Sequence, residues 1–145
     1  MIKRFFKDIR GYAMPYTVML ITLVSMPMLI ISTEMVRMLF VDVHLQSAVD
    51  SACTAASQNV DIEHFILTGE VMIDVSAASA AAQSEFDGTI TYADINQYSP
   101  TLSAISIVDG STVYCNASAV MTWMLPGISP VTLTASSAAQ AEARR

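Results

Sequence analysis

Apolar residues fill one unbroken stretch near the start of the chain and recur with shorter periods beyond it. Residues 12–32 read YAMPYTVMLITLVSMPMLIIS, and residues 11–33 hold no Asp, Glu, Lys or Arg. Wound as a helix at about 1.5 Å per residue, such a run measures roughly 35 Å, enough to cross a hydrocarbon core of about 30 Å. Past Ser32 a helical period continues. Val41, Leu45, Ala48, Ala52 and Ala55 recur at steps of four, three, four and three, while Asp42, Gln46 and Asp50 fall off that stripe. One helix from about 12 to 58 is predicted, uniformly apolar below and amphipathic above. Its packing face, Val41, Leu45, Ala48, Ala52 and Ala55, is mostly small, so another helix or a sheet can approach closely.

Residues 59–69, NVDIEHFILTG, break this period and read as a connector with a short turn or strand. An alanine-rich helix is predicted over 70–86, with Val71, Val75, Ala78, Ala82 and Phe86 as its stripe and Asp87-Gly88 as its stop. From Gly88 the pattern changes to strand. GTITYADI, SAISIV, STVYCNASAVMTWM and VTLTASSAA are rich in Thr, Ile, Val and Tyr with partial alternation, and Asp109-Gly110 marks a hairpin. The expected fold class is α+β: a long N-terminal helix packed on a small antiparallel sheet, with one further helix. Four segments follow: a basic stub at 1–11, a transmembrane helix at 12–33, its extension at 34–58 and an extracytoplasmic domain at 59–145.

Charge gives this layout a direction. Lys3, Arg4, Lys7 and Arg10 outnumber Asp8 in the stub, a net of +3, whereas the remaining residues carry three arginines against 12 acids, a net of −9. Basic residues flanking a span stay in the cytoplasm, so Lys3, Arg4, Lys7 and Arg10 orient the N-terminus inward and the body outward. The acidic body offers no surface for nucleic-acid phosphates. A cleaved secretory signal fits poorly, because the apolar run is longer than the usual core of such signals and lacks a small-x-small site.

Little in the chain points to catalysis. His44 and His64 have no metal-ligand spacing to a cysteine, Glu63-His64 are adjacent rather than a helical turn apart, and no phosphate-binding glycine loop occurs. The expectation is a protein without enzymatic activity, cofactor or small-molecule substrate. Cys53 and Cys115 fall on the outer side, where oxidation is feasible. A bridge would close a loop of about 60 residues, worth on the order of 4 kcal/mol in the chain-entropy model. The alternative is two independent thiols packed as small hydrophobes. Trp123, Met124 and Leu125, before Pro126-Gly127, form an aromatic corner that either packs on the sheet or offers a contact site.

The basic stub, the RGY at 10–12, the uncharged run and then Asp42 with LQSAVDSACTAAS at 45–57 resemble the TadE/TadG-like proteins of tight-adherence (Flp-type) pilus systems. The stretch VYCNASAVMTWMLPGISPVTLTASSAAQAEA at 113–143 is similar to their closing pattern of strand, Leu-Pro-Gly corner, strand and alanine-rich end, while 59–112 matches loosely. The resemblance implies a pilin-like fold and a minor pilin or pseudopilin in the bacterial inner membrane. Its partners would be the lipid bilayer and other pilus or pilus-assembly proteins, met through the N-terminal helix. It also makes Gly11 the candidate processing site. The fifth residue after Gly11 is Tyr16 where the cleaved pilins carry Glu, so an uncleaved member is expected. The competing reading is a membrane-anchored extracytoplasmic binding or adhesion module that joins no filament.

Overall fold

The long apolar run and the small-residue stripe lie on one helix, α1 (Ile2–Ser57). The computed structural model describes residues 2–124 and 127–141, with the backbone alone for 2–14. The side chains of Lys3, Arg4, Lys7 and Arg10, the processing candidate Gly11, and Leu125-Pro126 therefore lie outside the described residues. Two units make up the chain, Met1–Arg37 and Met38–Arg145. The upper part of α1 thus belongs with the body.

In the first unit α1 continues past Pro15 and Pro27. Three hydroxyls in and just past its apolar run do not compete with the helix, because they turn back on the preceding turn. Thr22 Oγ1 donates to the carbonyl of Val18 at 2.9 Å, Ser32 Oγ to Met28 at 2.8 Å and Thr33 Oγ1 to Leu29 at 2.8 Å. Internal satisfaction of this kind is what a low-dielectric surrounding demands of polar groups.

The second unit contains α2 (Ile62–Thr68), α3 (Val75–Ala93), a 3₁₀ turn at Asn96–Tyr98 and three strands, β1 (Thr101–Val108), β2 (Thr112–Met121) and β3 (Val131–Gln140). This is the expected α+β class, with the sheet an antiparallel meander in the order β1-β2-β3. Val108 pairs with Thr112 across the first hairpin. Asp109 and Gly110 both take positive φ, 54° and 69°, as the Asp-Gly signal foretells. Alternation on β2 turns Val113, Cys115, Ala117, Ala119 and Met121 inward. They share one core with Leu133 and Ala135 of β3, with Ala78, Ala82, Phe86 and Ile90 of α3, and with the inner face of upper α1.

Two expectations are corrected. The connector at 59–69 holds a helix, because cap signals stand at both of its ends. Asp61 accepts from the His64 amide at 2.9 Å, and Gly69 closes the turn at φ 76° with its N–H on the Phe65 carbonyl at 2.8 Å. The second correction concerns Gly88, which does not stop α3, and GTITYADI is not a strand. The helix starts later, capped by Asp74, and runs to Ala93, where Asp94 at φ 55° ends it. Val71 therefore precedes the helix and Val75 is exposed, while the buried stripe Ala78, Ala82, Phe86 continues in register to Ile90. A mid-helix glycine costs about 1 kcal/mol against alanine. Burying a large apolar side chain such as Ile90 gains roughly 1.5–3 kcal/mol, so the stripe wins.

Candidate functional site

The features that bear on function are distributed along α1. From Pro15 to Ser57 the helix is long and apolar enough to cross a membrane. In the first unit, Val18, Met19, Leu20, Ile21, Leu23, Val24, Met26, Met28 and Leu29 all project outward on every side of the helix. A helix apolar all round is built for an apolar surrounding.

A charged pair follows the end of this run. Glu34 is fully buried, and its two carboxylate oxygens accept from Arg37 Nη1 at 3.0 and 3.2 Å. Glu34 has no place among the sequence-based expectations, so this pairing was missed. An acid three residues before the lone arginine of the region, at the end of an uncharged run, is the signal that could have found it.

In the second unit the helix turns its stripe inward. Val41, Leu45, Ala48 and Ala52 are fully buried, and Ala55 is half-buried at its edge, with Ala56 taking the inner position instead. The surface that approaches this face is the chain's own sheet. Gln46 Nε2 reaches the carbonyl of Ser136 on β3 at 3.1 Å, and Ser51 meets Thr89 of α3, hydroxyl to hydroxyl, at 3.1 Å. Small residues at Ala48 and Ala52 let the helix lie close on a core that is itself rich in alanine. Enlarging Ala52 to leucine is expected to cost about 1–3 kcal/mol by overpacking, whereas Ala55→Leu at the edge is expected to be near neutral. Urea unfolding of the two variants checks this. Equal tolerance at both positions would place the Ala52 face outside the core.

The two cysteines are brought together. Cys53 on α1 and Cys115 on β2 are both fully buried free thiols. Cys53 Sγ donates to the carbonyls of Val113 at 3.2 Å and Ser137 at 3.5 Å. Burial first, then the hydrogen bond with Cys53 and its charge, push the Cys115 thiol up to about 12. At neutral pH Cys115 is therefore protonated, and the folded body holds it unreactive.

Two further polar side chains make local contacts. His44 hydrogen-bonds through Nδ1 with the Phe40 carbonyl at 2.8 Å and lies 4.2 Å from the Phe40 ring, centroid to centroid. Asp74 sits below its ordinary 3.8 because its carboxylate accepts from the Ala77 amide, the Ser76 hydroxyl and the Ser76 amide. Its capping contribution is complete above that value and is lost as pH falls through the lowered one. Among the described residues no three His, Cys, Asp or Glu side chains gather as a metal site. Of the aromatic corner, Trp123 is half-buried with its indole N–H unpartnered among the described residues, and Met124 is exposed.

No family model, curated protein or solved structure matches this chain.

Proposed function

We propose that this chain is a noncatalytic structural component of pilus biogenesis, a membrane-anchored minor pilin or pseudopilin of a tight-adherence type pilus. The observation that carries the reading is the division of labour along α1. One helix presents an apolar surface on every side over 15–33 and then becomes the central packing element of a small α+β body. The first part suits the bacterial inner membrane, crossed once, or the helical core of a filament; the second fixes the body to it. Lys3, Arg4, Lys7 and Arg10 hold the N-terminus in the cytoplasm and leave the acidic body outside. The helix meets its partners through its apolar run, since the stripe from Val41 to Ala52 is occupied within the body.

That occupancy also favours the second reading, a membrane-anchored extracytoplasmic binding or adhesion module outside any filament. Sheared filaments separate the two. The structural reading expects the chain in the filament fraction, or filament loss when the gene is deleted. Normal filaments from the deletion strain, with the chain confined to the membrane fraction, would overturn it in favour of the binding module.

A further inference from the structure

The body contains two cysteines, and the fold places one above the other. Cys53 lies on the inner face of α1 and Cys115 on the inner face of the central strand β2. The two carbonyls that accept from Cys53 Sγ fix its location. Val113 precedes Cys115 by two residues on the same face of β2, and Ser137 is the residue directly opposite Cys115 across the β2–β3 ladder. A sulfur within 3.2 and 3.5 Å of both carbonyls stands over the Cys115 position.

We propose that Cys53 and Cys115 form an intramolecular disulfide that clamps α1 onto the central strand of the sheet. Each S–H bond breaks and one S–S bond forms, releasing two protons and two electrons. The acceptor is the disulfide of a protein thiol–disulfide donor of the extracytoplasmic space, which leaves as a dithiol. Exchange proceeds by thiolate attack through a mixed disulfide. A fully buried, protonated Cys115 cannot begin that attack, so the bridge forms while the chain folds and is then sealed by the core. A side-chain adjustment that brings the two sulfurs to about 2.05 Å completes the bridge. The loop of about 60 residues that they tie off includes α2, α3 and β1, so the bridge removes much of the freedom of the unfolded body. The proposal rests on the exported orientation for its oxidant alone.

Full-length chain in detergent is unfolded and reduced, then refolded in a glutathione redox buffer. It is unfolded again without reductant and treated with an alkylating maleimide. The expected product is an unmodified monomer, lighter than the reduced chain by two hydrogens, that takes up two maleimides only after reduction. Two adducts without reduction would overturn the proposal. The bridged chain is expected to melt about 10 °C or more above the reduced one, and equal midpoints would overturn the clamp. In cells, the same alkylation is applied to a chain carrying a C-terminal topology reporter. Free thiols in a chain reported as exported would overturn the bridge, whereas a cytoplasmic signal would overturn the export reading and leave the refolding result to decide the site.

Discussion

Truncating Phe86 to alanine is expected to destabilise the body by about 3–5 kcal/mol. Phe86 is 1% exposed and heads the fully buried side chains by volume. Its companions on the inner face of α3 are Ala78, Ala82 and Ile90, so Phe86 supplies the largest single share of the bulk that this helix contributes. The core it belongs to is rich in alanine, and alanine methyls have no side-chain torsion with which to refill the space. The loss therefore combines a transfer cost with nearly the whole cavity cost. For a body of this size the melting midpoint is expected to fall by about 15 °C or more. Thermal or urea unfolding of Phe86→Ala checks this, with Tyr92→Ala, 95% exposed on the same helix, as the unaffected control. A loss below about 1 kcal/mol would mean that α3 does not close the core.

The features legible in the sequence were those encoded by long, uninterrupted periods. The apolar run as helix, the stripe on upper α1 from Val41 to Ala52, the hairpin at Asp109-Gly110 and strands within SAISIV, STVYCNASAVM and VTLTASSAA occur as read, while Ala55 yields the inner position to Ala56 and the second strand stops at Met121. Short-range signals misled where a longer-range one overrode them. Gly88 resembles a helix stop, yet four-residue steps from Ala78 through Ala82 and Phe86 to Ile90 carry the helix across it. At 61–69 the opposite occurred. Asp61 and Gly69 are sufficient caps, but they enclose seven residues with none buried, so no amphipathic period announced α2. The stripe on α1 shows a further limit. Periodicity reveals that a face is covered but not by what, and small residues suit a neighbouring subunit as well as the chain's own core, in which Ala48 and Ala52 are buried here. Tertiary proximity of Cys53 and Cys115 was likewise outside the reach of spacing, since 62 positions separate them and only the packing of upper α1 on the sheet brings them together.

Placing an arginine at Val24 is expected to abolish stable membrane integration. Val24 projects outward in the first unit at 53% exposure, nine residues before Thr33 and farther still from the basic stub. Its distance of about 14 Å from the nearer end of the uncharged run leaves an arginine headgroup little room to snorkel to an interface. A charge at the centre of a span costs about 2.5–3.5 kcal/mol on insertion scales. That is roughly a hundredfold shift in the partition between inserted and excluded chain. The run has little reserve against it, for its apolar residues are interrupted by Pro15, Thr17, Thr22, Ser25 and Pro27. Alkaline carbonate extraction of membranes measures the retained share. Val24→Leu is expected to remain in the pellet and Val24→Arg to leave it, with the body still folded because residues 38–145 enclose their own core. Retention of the arginine variant at the unaltered level would mean that the run lies against protein rather than lipid, and the single-pass anchor would have to be abandoned.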